Sequence, residues 1–234
     1  PDMSILSVVR YQLRPEKSAV WEGAVARIAK RAGEKKDRLH WGCAQVAGGE
    51  LGAFQIVIPA ESFAEAAGRE TPAALIGRLF DAKEAERLVT DSSSAITGLS
   101  SAILRERPEL GYASEETRRQ PVAAVVTRMI VRPGHRDACE ELLRKIAEAI
   151  PKTDDIRRFR VYQPLVGDMR LLAAVRSIFA LAELDEATSV EELLNQAFGM
   201  AEGGLVFRAG LEGAEALTSE LLLMRPDLSH AAKV

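Results

Sequence analysis

The alternation of apolar and polar residues predicts a strand at residues 5–13, with Val9, Tyr11 and Leu13 on one face and Val8, Arg10 and Gln12 on the other. Pro15 ends this strand. Apolar residues then recur every three to four positions over residues 16–32, which is typical of an amphipathic helix. Two more strands follow, at 39–46 and 51–58, and the glycine-rich segment between them predicts a hairpin turn.

A helical region at residues 61–98 comes next, with interruptions near Gly68 and Asp81, and a last strand is predicted at 100–106. The second half repeats this order: strand 122–131, helix 135–150, strand 156–164, strand 169–176, helices within 178–216 and strand 217–224. The order β-α-β-β-α-β therefore occurs twice, which predicts the split-βαβ, ferredoxin-like arrangement.

Residues of the first half also recur in the second half at one constant offset, without gaps. Pro15 pairs with Pro133, an offset of 118 (133 − 15). The same offset joins Gln45 to Gln163, Gly49 to Gly167, Val57 to Val175, Glu65 to Glu183, Leu75 to Leu193, Phe80 to Phe198, and Arg107-Pro108-Glu109-Leu110 to Arg225-Pro226-Asp227-Leu228. A repeat of this length is the size of a small domain, so we expect a tandem duplication.

The predicted fold class is α+β, with two ferredoxin-like domains at residues 1–112 and 113–234. The polar segment from Gly111 to Gln120 is the expected linker. In each domain the helices cover one face of an antiparallel sheet, and the other face needs a cover of its own. We expect the two sheets to pack together as a pseudo-twofold α+β barrel, so that the protein is a monomeric pseudo-dimer or a homodimer.

The junction Val131-Arg132-Pro133-Gly134-His135, followed by the acidic helix segment Cys139-Glu140-Glu141-Leu142-Leu143, resembles the dimeric α+β barrel superfamily, in its antibiotic-biosynthesis-monooxygenase-like branch. The resemblance implies a cofactor-independent monooxygenase or isomerase. Members of that branch often carry a histidine on the helix after the third strand. Neither Glu61–Glu70 nor Phe179–Thr188 contains one, so the sequence departs from that branch at this position.

Composition narrows the classes of partner. The 234 residues carry a net charge of −3, with 47% hydrophobic and 28% charged residues, as in ordinary globular proteins. This balance favours neither nucleic acid nor an anionic membrane as partner, and a small-molecule ligand is the expectation. Cys43 and Cys139 lie at non-equivalent positions, which indicates buried reduced thiols and, with no signal-peptide pattern, a cytoplasmic location.

Sorting the strands by face separates a helix-facing set from a set on the opposite face. The helix-facing set is Val9, Tyr11, Leu13, Trp41, Cys43, Leu51, Ala53, Val57, Met129, Val131, Phe159, Val161, Met169 and Leu171. The opposite set is Arg10, Gln12, His40, Ala44, Phe54, Ile56, Arg128, Ile130, Arg158, Arg160, Tyr162, Leu172 and Arg176. The second set predicts a pocket with an apolar wall and a cationic wall, suited to an organic acid.

Arg10 and Arg128 occupy equivalent mid-strand positions on this predicted inner face. A buried guanidinium needs a carboxylate or a ligand, and both alternatives stay open. Ligand contacts are also predicted for Tyr162, Gln12 and Arg158. The other strand arginines are expected to reach solvent or to pair with acidic residues.

His40 is the candidate general base, since an imidazole in a cavity titrates near neutral pH. The structural alternative is a histidine that only bonds to its surroundings. His40, His135 and His230 have no metal-site spacing, so no metal and no cofactor are expected. Gln45 and Gln163 either fix their hairpins by bonding backbone or point at a ligand, and the Arg-Pro ends are interpreted as strand stops.

Three functions remain open from the sequence. The first is the binding of a small organic molecule between the two sheets. The arginines on the predicted inner face suit an acidic molecule. The second is the cofactor-independent oxygenase or isomerase, with His40 as base and an arginine stabilising an oxyanion. The third is a structural or assembly module that pairs through exposed strand edges.

Overall fold

The computed structural model describes residues 4–50, 52–113, 120–153, 155–186 and 188–230. Leu51, at the start of the predicted third strand, and residues 114–119 of the predicted linker lie outside the described residues. The described chain divides into two compact units. Unit A holds Ser4–Leu104 and the C-terminal residues from Leu223 onward, and unit B holds Arg105–Leu222. The end of the chain therefore belongs to the unit in which the described chain begins.

Unit A follows the predicted order of elements. Its elements are β1 (Ile5–Leu13), α1 (Ser18–Glu34), β2 (Gly42–Gly48), β3 (Ala53–Ala60), α2 (Phe63–Ala67), α3 (Pro72–Leu79), α4 (Ala82–Ala95) and β4 (Ile96–Glu106, whose last residues lie in unit B). The interruptions near Gly68 and Asp81 separate three helices, as predicted. Each of these helices begins at its own cap, because the side chains of Ser62, Thr71 and Asp81 accept hydrogen bonds from backbone N–H groups of the first turn.

Unit B contains its strands and helices in the same order, with two α-helices before the last strand where unit A has three. They are β5 (Ala123–Val131), α5 (Arg136–Ala149), β6 (Phe159–Val166), β7 (Leu171–Ile178), α6 (Val190–Phe198), α7 (Met200–Glu212) and β8 (Ala214–Met224, whose end lies in unit A). The predicted offset recurs in the strand starts. Ile5 and Ala123 differ by 118 (123 − 5), and Ile96 and Ala214 also differ by 118 (214 − 96).

Within each unit the strands pair in an antiparallel sheet, and sheet and helices together make an α+β fold. From neighbour to neighbour the order is β4-β1-β3-β2 in unit A and β8-β5-β7-β6 in unit B. The register places Tyr11 opposite Phe54 in unit A and Met129 opposite Leu172 in unit B. Since side chains alternate between faces, each of these cross-strand pairs points to one side of its sheet.

That side is covered by helices. In unit A, Trp21 of α1 is 2% exposed and its ring lies 5.4 Å from the Tyr11 ring and 4.8 Å from the Phe54 ring. In unit B, Met129 and Leu172 pack in one cluster with the α5 and α6 side chains. The assignment of alternate β1 and β5 residues to the helix-facing side is confirmed.

The face assignment of both third strands is wrong. Phe54 and Ile56 were predicted on the face away from the helices, but they pack with the core of unit A. Leu172 likewise packs in the unit B core, whereas Met169 is exposed. Side chains of a strand alternate between the two faces of the sheet. A shift of one residue in the register of the strand after the hairpin therefore moves every side chain to the opposite face.

The cysteines and the paired glutamines have clear positions. Cys43 and Cys139 are buried and unbridged, and burial raises the pKa of the Cys43 thiol to about 12. Gln163 accepts hydrogen bonds from Arg107 and Arg136, at 2.6 and 2.8 Å. The glutamines were expected to bond backbone or a ligand, and the contact observed for Gln163 is instead to an arginine of the Arg-Pro segment.

The equivalent contact exists in unit A. Arg225 donates to Gln45 at 3.3 Å and forms an ion pair with Glu22 at 2.6 Å. Its backbone N–H also donates to the carbonyl of Cys43. The Arg-Pro segments are therefore more than strand stops. In each one, the arginine connects the residues that follow a long strand to a helix and to another strand of the same unit.

Candidate functional site

Unit A contains a cavity of about 410 Å³ between the helix-facing side of its sheet and its helices. The residues that line it are Ser7, Val9, Tyr11, Trp21, Val25, Ile28, Leu39, Trp41, Ile56, Ile58, Arg69, Glu70, Thr71, Pro72, Ala73, Leu75, Ile76, Val89, Ser92, Ser93, Ile96 and Leu99. This volume lies within the range of small-molecule sites, which are mostly apolar with a few placed polar groups. We call it the Trp21 cavity.

The two tryptophans of the lining are fixed by different contacts. Trp21 is held by the Tyr11 and Phe54 rings. Trp41 Nε1 donates to the carbonyl of Leu228 at 2.9 Å, so residues from the end of the chain orient the ring. Flat, rigid aromatic walls favour a flat apolar ligand, because little side-chain entropy is lost when the ligand binds.

Tyr11 contributes a hydroxyl-bearing ring to the lining. Burial raises the pKa of the Tyr11 phenol, and the neighbouring Cys43 thiol adds to the rise. The hydroxyl therefore keeps its proton at neutral pH, and a phenolic O–H can donate to a ligand oxygen.

A polar rim completes the cavity on the α2–α3 connection. Arg69 Nη1 donates to the carbonyl of Ile58 at 3.0 Å, Nη2 donates to that of Pro59, and Nη2 lies 3.4 Å from Glu65. Arg69 Nε is buried and has no partner within the described residues. Glu70 and Thr71 are exposed and follow it directly.

Unit B differs from unit A at positions in and beside this lining. Phe207 stands where unit A has Val89 of the lining (207 − 118 = 89), and Leu142 stands where unit A has Ala24, which lies outside the lining. Both pack in the unit B core. Gly210, which stands where unit A has Ser92, lets α7 approach α5 so closely that an added Cβ would lie 2.5 Å from the Leu142 side chain.

The predicted ligand residues lie outside the Trp21 cavity lining. Arg10 pairs with Glu50 at 3.0 Å, and Arg128 pairs with Glu220. Within unit B, Arg128 and Tyr162 lie on either side of Ala173 in the strand register. Of the two alternatives for Arg10 and Arg128, the structure gives each a carboxylate partner, and ligand contact stays a prediction.

The other predicted residues are also placed by local contacts. The carbonyl of Gln12 accepts from the Thr97 hydroxyl at 3.1 Å. The Arg158 guanidinium lies 6.0 Å from the Phe179 ring centre. The His40 ring lies 5.0 Å from the His230 ring, and its Nδ1 is buried without a hydrogen-bond partner in the described part of the chain. His40 does not line the Trp21 cavity, and its role as a base stays a prediction.

The loop before His40 is fixed by Asp37, whose side chain is 3% exposed. Asp37 accepts from both terminal nitrogens of Arg78 and from the backbone N–H of Leu39 at 2.9 Å. The Arg78 hydrogen bond holds the pKa of the Asp37 carboxyl below its ordinary value, with help from the Leu39 N–H and against the effect of burial.

Asp37→Asn is therefore expected to lower the free energy of unfolding at neutral pH by about 1–3 kcal/mol, at the weaker end because Arg78 is half exposed. A lowered folded-state pKa stabilises the fold above the ordinary carboxyl pKa, and this contribution is lost as pH falls through the lowered value. Urea unfolding at several pH values from neutral to acid should show the difference between the variant and the unchanged protein shrinking in acid. A difference that persists unchanged in acid would contradict this assignment.

No group of histidine, cysteine and acidic residues suited to a metal ion occurs among the described residues. None of the helices in the described ranges combines the length and the apolar character needed to cross a membrane.

Comparisons with known proteins bear on the fold. No protein-family model matches the sequence, and no curated protein is significantly similar to it. A candidate monooxygenase from Fusobacterium nucleatum has a similar structure, with a TM-score of 0.59 and 10% identity over 95% of this chain and 92% of that one. An anthrone oxidase-like protein gives 0.57 and 12%, over 100% and 96%. Chlorite dismutase from Candidatus Nitrospira defluvii gives 0.55 and 11%, over 96% and 92%.

The likeness is one of fold. It extends over nearly the whole of each chain and agrees with the expected α+β barrel type of architecture. At such low identity, proteins with different names share this fold, so the fold alone assigns no reaction.

Proposed function

We propose that unit A binds a small, mainly apolar, ring-containing organic molecule in the Trp21 cavity, with its polar end at the rim formed by Arg69, Glu70 and Thr71. The observation that carries the proposal is the cavity of about 410 Å³ with aromatic and aliphatic walls in one unit. Apolar surface that would otherwise contact water inside such a cavity favours an apolar occupant.

This proposal places the ligand on the helix-covered side of the unit A sheet. The sequence placed it on the side of Arg10 and Arg128. The ion pairs of these arginines with Glu50 and Glu220 weaken the case for their recruiting a ligand acid. The Trp21 cavity instead offers the buried Arg69 Nε–H, which has no hydrogen-bond partner among the described residues.

Val89→Phe tests the proposal, because it puts into unit A the residue that unit B has at the equivalent position. The added ring should fill the cavity beside Ile76 and Trp21 and weaken binding of the neutral dye N-phenyl-1-naphthylamine by about tenfold or more, as steric exclusion of one aromatic ligand by another ring predicts. Fluorescence titration of the full chain gives the dissociation constants.

Val20→Phe is the matched control, because Val20 lies on the exposed side of α1 and outside the cavity lining. It should leave dye binding unchanged. If the dye does not bind, or if Val89→Phe binds it as well as the unchanged protein does while keeping its thermal stability, the proposed function is wrong.

Cofactor-independent oxygenation is the second candidate, favoured by the names of the structural neighbours, which include candidate monooxygenases and an anthrone oxidase-like protein. In this version the Tyr11 hydroxyl donates to a substrate oxygen and the apolar walls exclude water from the reacting carbon. Oxygen uptake with anthrone above its spontaneous rate, lost in Val89→Phe, would support it. Uptake equal to the spontaneous rate would remove it.

We also propose that units A and B descend from one duplicated βαββαβ unit of the ferredoxin-like type. The offset of 118 between three of the four pairs of strand starts and the common strand order support this proposal. On this view the two copies diverged at the cavity lining, where Val89 of unit A corresponds to the larger Phe207 of unit B.

A further inference from the structure

A second, open groove adjoins the Trp21 cavity in unit A and shares residues with it. Its volume is about 520 Å³, and Leu39, Arg69 and Glu70 belong to both linings. We call it the charged groove. Its other lining residues are Lys35, Lys36, Asp37, Arg38, Glu65 and Arg78. The two spaces thus meet at the polar rim.

The charges of this groove do not cancel. Five basic and three acidic residues line it, which leaves a surplus of two positive charges (5 − 3). Each acid is already engaged. Asp37 and Glu70 both pair with Arg78, and Glu65 pairs with Arg69. The surplus positive charge therefore lies on basic residues that are not paired with a carboxylate.

These residues are Lys35, Lys36 and Arg38, on the loop that follows α1. Lys35 Nζ donates to the carbonyl of Arg78 at 3.2 Å, and no ion pair of Lys36 or Arg38 occurs within the described residues. All three are exposed. Arg78 of α3 lines the same groove and is held there by salt bridges to Asp37 and Glu70. The loop and α3 together therefore present basic side chains to an anionic group in the charged groove.

Resting on the proposed function, we infer that the ligand is an amphipathic acid, whose ring system occupies the Trp21 cavity and whose carboxylate, phosphate or sulfonate lies in the charged groove against Lys36 and Arg38. Arg69 stands where the two parts of such a molecule would join, and its buried Nε–H has no partner among the described residues. A neutral ligand would use the cavity and leave the groove to water.

Two related dyes test this directly on the full chain. N-phenyl-1-naphthylamine is neutral, and 1-anilinonaphthalene-8-sulfonate is the same ring system with a sulfonate. At low salt the sulfonate dye should bind roughly threefold or more tightly than the neutral dye. Raising the salt from about 20 mM to about 500 mM should remove most of that advantage, because exposed charges are screened.

The variant Lys36→Gln/Arg38→Gln should weaken binding of the sulfonate dye by roughly three- to thirtyfold and leave the neutral dye unchanged. Lys30→Gln/Lys83→Gln is the matched control. It removes the same charge from exposed residues outside both linings and should change neither affinity. Val89→Phe should weaken binding of both dyes, because both place their rings in the cavity.

The possible results separate the two ideas. If the neutral dye does not bind, or if Val89→Phe leaves its binding unchanged, the proposed function and this inference both fail. If the neutral dye binds but the sulfonate dye is no tighter, or if the two double variants behave alike, only the anionic part is overturned. Sulfonate binding that survives Val89→Phe would place the anion site apart from the cavity and would also overturn the inference. Thermal melting of each variant shows that it is folded.

Discussion

Trp21→Ala is expected to lower the free energy of unfolding by about 3–5 kcal/mol. Trp21 is 2% exposed and touches the Tyr11 and Phe54 rings, so its removal takes a large apolar side chain out of the contact between α1 and the sheet. The space left behind joins the cavity already present, which leaves the surrounding side chains without packing partners. The loss should therefore approach the upper part of this range.

Urea unfolding followed by circular dichroism measures this change, since loss of the tryptophan alters the fluorescence signal itself. Trp21→Phe is the control, because it keeps a ring between Tyr11 and Phe54 and should cost clearly less. A loss below about 1 kcal/mol for the alanine variant would show that Trp21 is not the packed residue described above.

Gly203→Ala is expected to destabilise the protein by about 1–3 kcal/mol, although alanine normally favours a helix over glycine by about 1 kcal/mol. An added Cβ at Gly203 of α7 would lie 2.6 Å from the backbone carbonyl carbon and oxygen of Leu194 in α6. Backbone atoms cannot rotate away as a side chain can. The two helices would have to separate and open the unit B core.

Gly204→Ala is the matched control on the same helix. Its added Cβ would meet only the Asn195 Oδ1, at 3.9 Å, which is ordinary contact. This variant should be neutral or stabilised by up to about 1 kcal/mol. Equal thermal shifts for the two variants would show that the close approach of α6 and α7 does not depend on Gly203.

The order of the elements could be predicted from the sequence because it depends on local patterns. The first strand was predicted at 5–13 and observed as Ile5–Leu13, and the three helices of the region 61–98 begin where their capping residues stand. The last strand of unit A was predicted to begin at residue 100, but β4 begins at Ile96. The serines before it are helical, as predicted, and the Ser92 hydroxyl donates to the carbonyl of Leu88 at 2.8 Å.

The Trp21 cavity could not be predicted, because it arises from distances between elements. Alternation assigns residues to faces, but it does not say whether helices above a face fill the space. Phe54 and Ile56 were also placed on the wrong side, which removed the cavity floor from consideration. A usable signal did exist in the repeat. Val89 of the lining corresponds to the larger Phe207 at the matched position, and such an exchange is a reason to look for space in unit A.

The division of the chain into units A and B also determines which fragments of the protein would keep a complete core. Leu228, which is 1% exposed, packs beside Trp21 and Cys43, and the main chain of His230 exchanges two hydrogen bonds with that of Trp41. A fragment that stops after the first repeat would leave this edge of its sheet and its core uncovered. Expression of unit A alone would therefore require the final residues to be joined to it, for instance by circular permutation.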